Sequence, residues 1–225
     1  MRSIAFALSS TILFIPSGLS EDTATQIPVI EWPLKAGQSL KDSPDWQLLN
    51  AEAGAEMIKA PDRQLCLRLT GGARFRSIDA SAYLPETHLE ATWSITNGQG
   101  AMGFGFIDFK TSIYYYFYQD VTKGMLILQR GDGQTTEQLA EIPFSSSTTS
   151  GNFKMVISRP KRDQVHLSLS HNESALGEPV VDRPEQELGS TFQIYAGSSK
   201  DAEVLVYKIS TIPGTSIKKG GSWFW

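Results

Sequence analysis

The chain has 225 residues, enough for one sandwich or barrel and too few for several large domains. Lys and Arg total 20 against 24 Asp and Glu, a formal net charge of −4, which supplies no field to draw in nucleic acid or an anionic membrane. A hydrophobic content of 40% argues against a disordered chain, and a domain of this size buries roughly 70% of its unfolded surface, so its core needs no disulfide or metal.

The N-terminus reads as an address. Met1 and Arg2 form a short positive start, Ile4 to Ile15 is a largely apolar stretch, Pro16 breaks it, and Gly18 and Ser20 are small residues placed for a cut before Glu21. This is the layout of a secretory signal peptide over residues 1–20. A transmembrane anchor is the alternative, but Ser9, Ser10 and Thr11 interrupt the stretch, and a span needs about 20 apolar residues. No later segment is long and apolar enough to span. The expectation is export to the periplasm or beyond, with one domain over residues 21–212 and a tail over 213–225. The tail is rich in Gly, Ser and Lys and ends in Trp223-Phe224-Trp225; its aromatics are expected to fold back on the domain, with a docking peptide or export signal as the sharper alternative. Cys66 is the one cysteine, so an internal disulfide is excluded and a covered small hydrophobe is expected.

Within the domain, apolar residues recur at every second position, the period of a strand with one buried face. In chain order the expected strands are Trp46 to Asn50, Leu65 to Thr70, Ala73 to Ala80, Leu89 to Thr96, Ala101 to Phe109, Ile113 to Asp120, Met125 to Arg130, Asn152 to Ser158, Val165 to Ser170, Thr191 to Ala196 and Glu203 to Ile209. Gly71-Gly72, Asn97-Gly98, Gly131-Asp132-Gly133 and Pro160 to Asp163 supply turns between them, and Glu173 to Gly189 reads as a longer acidic loop. No stretch sustains a helical period. The fold class is all-β: a two-sheet antiparallel β-sandwich of jelly-roll type with roughly a dozen strands.

Three consecutive segments, Ala101 to Phe109 (AMGFGFIDF), Ile113 to Asp120 (IYYYFYQD) and Gly124 to Arg130 (GMLILQR), resemble the middle of the concanavalin A-like (laminin G-like) jelly-roll superfamily. Its bacterial members often show a glycine-spaced strand, a Tyr-Tyr-x-Phe strand and a strand ending in a basic residue. The resemblance runs from Trp46 to Ile212. It implies an extracellular or periplasmic protein that binds or cuts sugars, a group resembling 3-keto-disaccharide hydrolases included, or an adhesion module.

The catalytic signatures of that superfamily are missing. Its family 16 glycosidases carry Glu-x-Asp-x-Glu on one strand, where alternation puts three carboxylates on one face. Glu52 and Glu56 have the outer spacing around Gly54, and Glu137 and Glu141 around Leu139, neither with the central Asp. His88, His166 and His171 lack metal-site spacing and are expected at the surface. Gly131-Asp132-Gly133 has oxygens of the kind calcium takes but no full loop signature, so a hairpin turn is expected and no cofactor is called for. Gly103 and Gly105 mark a strand where a ligand approaches the backbone or where a neighbouring strand needs room; the second reading is favoured.

The aromatic strand is the main functional pointer. Tyr115 and Phe117 fall on one face; Tyr114, Tyr116 and Tyr118 fall on the other. A sandwich strand buries one face. Tyr114, Tyr116 and Tyr118 are therefore expected near solvent as stacking rings for a sugar, about 7 Å apart along the strand. Arg74 and Arg76, with Gln129 or Arg130, are candidates to complete the surface. The bland alternative is that the phenols cap a packed sheet beneath covering loops. The expected function is an exported carbohydrate-binding or adhesion module with a glycan or polysaccharide partner and no nucleic acid. A glycan-processing hydrolase with carboxylates from separate strands (Asp108, Asp120 and Glu90) and a structural envelope protein are the alternatives.

Overall fold

The computed structural model describes residues 35–79, 81–82, 86–161 and 163–213. The expected signal peptide and the tail beyond Pro213 lie outside them. Among the described residues there is one turn of 3-10 helix, Leu40–Asp42, and sixteen strands. These are β1 (Trp46–Leu48), β2 (Gly54–Lys59), β3 (Leu65–Thr70), β4 (Arg74–Ser77), β5 (Ser81–Ala82), β6 (Glu86–Ile95), β7 (Ala101–Asp108) and β8 (Tyr114–Asp120). They continue with β9 (Met125–Gly131), β10 (Thr136–Pro143), β11 (Ser150–Lys161), β12 (Gln164–His171), β13 (Ser174–Ala175), β14 (Val180–Asp182), β15 (Thr191–Ser198) and β16 (Val204–Pro213).

The strands form two antiparallel sheets. The first runs β1-β4-β15-β7-β8-β9-β10, with β5 on β15; the second runs β13-β12-β11-β6-β16-β3-β2, with β14 on β12. β7 to β10 follow one another as neighbours. β15 instead enters the first sheet between β4 and β7, and β16 enters the second between β3 and β6. The last two long strands thus close the middle of both sheets, the nonlocal pairing of a jelly roll.

Alternation explains which side chains meet. On β6, Leu89, Ala91, Trp93 and Ile95 point inward, and on β11 Phe153, Met155 and Ile157 do the same. The first sheet answers with Phe104 and Phe106 of β7, Tyr115 and Phe117 of β8, and Leu126 and Leu128 of β9, all fully buried. Aromatic contacts bridge the layers. Trp93 stacks on Phe153 at 4.0 Å, and edge contacts reach from Trp93 to Phe104 (5.7 Å) and from Phe153 to Phe117 (6.2 Å). The indole N–H of Trp93 donates to Oε1 of buried Gln119 (3.1 Å), so this large core ring leaves no polar atom unpaired. Cys66 is buried and free, packed with Ala60 and Leu205 on the outer side of the second sheet, and burial pushes its thiol pKa up.

The structure adds strands where the sequence shows weak alternation. β2 buries only Ala55 and Met57, and the edge strand β10 is largely exposed. The acidic segment from Glu173 to Gly189 is not a plain loop: it contains β13 and β14, both paired with β12. Pro160 lies inside β11 rather than in a turn, at the register shift between Ser158 and Lys161, where its missing N–H costs no ladder bond.

β14 brings Asp182 into the sandwich. Its Oδ2 accepts from the buried Tyr115 hydroxyl at 2.5 Å, and Arg130 donates to Oδ1 at 2.9 Å and Oδ2 at 3.1 Å. Arg130 also bonds Glu137 of β10. One carboxylate therefore ties three strands of the first sheet to the second. Removing it leaves a buried phenol without its acceptor and a half-buried guanidinium with Glu137 alone. Asp182→Ala is expected to lower unfolding free energy by about 3 kcal/mol, read from urea unfolding, whereas a loss below about 0.5 kcal/mol, the surface-substitution range, would rule out the tether.

Candidate functional site

The outward positions of the first sheet fall into cross-strand rows fixed by register. One row is Arg76, Tyr195, Gly105, Tyr116 and Gln129. The next is Arg74, Gly197, Gly103, Tyr118, Ile127 and Glu141. A third holds Gln193, Ile107, Tyr114 and Gly131. Tyr115 and Phe117 are fully buried, while Tyr114, Tyr116 and Tyr118 lie half-buried on the outer face.

Three glycines let these rings lie down. β7 approaches β8 so closely that a Cβ on Gly105 would sit 1.9 Å from the Tyr115 carbonyl oxygen, and one on Gly103 would sit 2.3 Å from Tyr118 Cβ. With no side chains in the way, Tyr116 reaches across β7 and donates its hydroxyl to the Gly197 carbonyl of β15 at 2.9 Å. Tyr114 leans the other way. Its ring covers Gly131, where a Cβ would meet Cζ at 2.2 Å, and its hydroxyl bonds Thr136 Oγ1 at 3.0 Å.

The result is a cavity of about 460 Å³ on this face, within the size range of small-ligand sites. Tyr116 is packed against Tyr118 at 5.7 Å and edge-on to Tyr195 at 5.3 Å. Arg74, Tyr114 and Gln129 line the cavity with them, and Ser198 and Ser199 close one end. Ser199 is already engaged, accepting from Ala101 N and donating to Asp201. Ser198 Oγ is buried without a partner among the described residues. Burial pushes the phenols of Tyr116, Tyr118 and Tyr195 above their ordinary range; the nearby Arg74 guanidinium partly opposes this at Tyr116 and Tyr195.

The structure thus gathers Arg74, Tyr114, Tyr116 and Tyr118 around one cavity, with Gln129. Arg76 does not line it: although beside Tyr195 in register, its Nε donates to Gln47 of β1 at 2.9 Å. Arg130 points to the opposite side, toward Asp182. The rings differ from the expected ladder. Centroids of Tyr116 and Tyr118 are 5.7 Å apart and tilted by 30°, because Tyr116 lies over the glycines instead of standing up. Tyr195 was not singled out from the sequence; its outward face is legible from alternation with Ile194 and Ala196, but its place beside β7 is not.

The carboxylates named for hydrolysis do not converge. Asp108 is fully buried at the far end of β7, its oxygens accepting from Lys110 N, Thr111 N, Thr111 Oγ1 and Gly189 N. Asp120 lies at the opposite end of the β7–β8 pair, holding Lys123. Glu90 is on the second sheet between Lys154 and Lys208. A register shift in β10 turns Glu137 and Glu141 to opposite faces. Asp132 caps its own turn through Gln134 N and Thr135 N. Among the described residues no cluster of three metal-ligating side chains is found.

No family model and no curated protein matches the chain. Solved structures do. The potassium-bound carbohydrate recognition domain of Emp46p aligns at 12% identity over 84% of this chain and 97% of its own, with a TM-score of 0.55. The GH16 protein of a Bacteroides ovatus mixed linkage glucan PUL, in complex with the product G4G4G3G, aligns at 11% over 76% and 96%, TM-score 0.54. The carbohydrate binding module CBM66 from Bacillus subtilis aligns at 11% over 80% and 99%, TM-score 0.51.

The fold is the concanavalin A-like jelly roll. At these identities the likeness concerns the arrangement of strands alone.

Two predictions follow the geometry of this concanavalin A-like sheet. Gly105→Ala forces β7 and β8 apart and is expected to cost roughly 1–3 kcal/mol in urea unfolding; an unchanged midpoint would contradict the close approach. The second concerns pH. Tyr115, Tyr116, Tyr118 and Tyr195 hold their protons more tightly in the folded state than the ordinary phenol value near 10. Below about pH 10 both states are protonated and the phenols' contribution is fully present. Above it the unfolded chain releases protons first, so stability falls steadily. Unfolding midpoints at pH 8 and pH 11 test this, and equal midpoints would refute it.

Proposed function

We propose that this chain is a carbohydrate-binding module that holds a glycan in the tyrosine-lined cavity on the outer face of the first sheet. The observation carrying this reading is the cavity itself: four tyrosines brought together over a glycine floor, with the hydroxyls of Tyr118 and Tyr195 and the amide of Gln129 lacking hydrogen bonds among the described residues. Aromatic rings suit the apolar face of a pyranose, and free hydroxyl and amide groups suit its rim. Two structural neighbours, a carbohydrate recognition domain and a carbohydrate binding module, point the same way. The signal-peptide pattern at residues 1–20 adds an exported setting, and no helix among the described residues is long and apolar enough to cross a membrane.

Binding is favoured over hydrolysis because the carboxylates nearest the sheet are committed elsewhere, Asp108 to four donors and Asp120 to Lys123 and its turn. A glycan-array screen with the mature chain, followed by calorimetry on the best ligand, tests the proposal. Tyr118→Ala should weaken that ligand about fivefold, from roughly 1 kcal/mol of ring contact, with an unchanged melting curve. Full affinity in both Tyr116→Ala and Tyr118→Ala would move the site elsewhere, and release of free sugar during the screen would favour the hydrolase.

A further inference from the structure

The cavity has a distinct charge. Among the described residues, Arg74 is the one charged residue that lines it. Its backbone N–H is taken by Asn50 Oδ1, but its guanidinium has no ion pair or hydrogen bond among the described residues. It is solvent-accessible, its stem passes over Gly197, and its charge is felt by the phenols of Tyr116 and Tyr195. The carboxylates around the rim are already occupied or distant. Asp201 accepts from Ser199 Oγ at 2.6 Å, Asp120 pairs with Lys123 at 3.4 Å, and Glu141 is on β10, five strands along the same row from Arg74. A guanidinium in a cleft with no counter-ion among the described residues is a donor site for a planar oxyanion, which it grips through two parallel N–H groups.

We propose that the glycan held here is acidic: a uronic-acid-containing saccharide whose carboxylate pairs with Arg74 while its ring lies against Tyr116 and Tyr118. This deepens the carbohydrate-binding reading and rests on it. The chain's own net charge of −4 sharpens the argument. A polyanion gains nothing from the overall field of this protein, so any preference for acidic sugars has to come from a local contact. Arg74 on β4 and Glu141 on the edge strand β10, at opposite ends of one row, also give the face a polarity, so the acidic unit is placed over β4 and β15.

The test measures calorimetric affinity of the mature chain for tetrasaccharides containing galacturonate, mannuronate or glucuronate, each beside its methyl ester, together with neutral gluco- and manno-tetrasaccharides. The esters keep shape and hydroxyls and lose only the charge. At least one acid should bind about ten- to hundredfold tighter than its ester, the scale of a hydrogen bond to a charged group, and 0.5 M salt should narrow the gap. Arg74→Gln should bring the acid-to-ester affinity ratio close to one; Arg74→Lys, which keeps charge without the fork, should fall between. Melting curves of both variants should match the parent, since the side chain is exposed. If every acid binds no tighter than its ester, or if Arg74→Gln leaves the acid's affinity intact, the proposal is overturned while carbohydrate binding by the tyrosines stands. If no acidic, esterified or neutral saccharide binds, both fail.

Discussion

The close approach of β7 to β8 at Gly103 and Gly105 is the constraint on which the site depends. A strand alternates its side chains, so β8 places an aromatic on every outward and inward position from Tyr114 to Tyr118. The inward pair is absorbed by the core, Tyr115 stacking on Phe106 at 5.1 Å and Phe117 meeting Phe104 edge-on at 6.1 Å. Among the described residues the outward rings have no such layer above them. They become a cavity wall because β7 offers bare backbone where a side chain would otherwise stand, and Tyr116 can bridge to β15. Any β-carbon at Gly105 would remove that option and displace the core-facing ring beside it in the same move. The two faces of β8 are thus coupled through one pair of glycines.

Rigidity in this sheet comes from behind. Arg130 and Asp182 clamp the inner side of β8, β9 and β10 to β14, and the Trp93–Phe153 stack presses on Phe104 and Phe117. Tyr115 belongs to both arrangements, as a core ring and as the donor to Asp182. Its neighbours Tyr114 and Tyr116 are fixed by hydroxyl bonds to Thr136 and Gly197. A ligand meeting such a surface loses little affinity to ordering the protein, because the rings at its ends are already held.

Alternation was enough to read the sandwich from the sequence, since each long strand buries one clean set, as in Leu89, Ala91, Trp93 and Ile95. It was also enough to separate Tyr115 and Phe117 from the other tyrosines. Which set faces solvent was an expectation that needed the second sheet to decide. The weaker strands escaped because they carry little of the periodic signal: β14 holds Val181 exposed and Asp182 buried, the reverse of what hydropathy suggests. Asp182 is tolerated there only because Tyr115 and Arg130, far away in sequence, arrive at its oxygens. Arg74 and Arg76 are indistinguishable as residues of one strand pointing the same way. Their difference arises from Gln47 on β1, which takes Arg76 and not Arg74. Tyr195 enters the cavity because β15 crosses to lie beside β7, a pairing between segments more than eighty residues apart that no local pattern encodes.

The distribution of carboxylates says what kind of chemistry this face is suited to. Glycoside hydrolysis uses two carboxyl groups about 5–10 Å apart across the scissile bond, one of them free to take and return a proton. In this jelly roll the buried Asp108 is saturated by donors, Asp182 is consumed by the inter-sheet clamp, and Glu137 and Glu141 are split by the register shift in β10. Among the described residues the cavity is lined by phenols, a neutral amide and one cation with no ion pair. Rings, hydroxyls and an amide are groups suited to packing on a sugar and bonding its rim, which is the reading proposed above. Among the described residues, the lack of an acidic side chain in the lining is what leaves the Arg74 guanidinium without an ion pair, and the proposed preference for an anion rests on that one feature of composition.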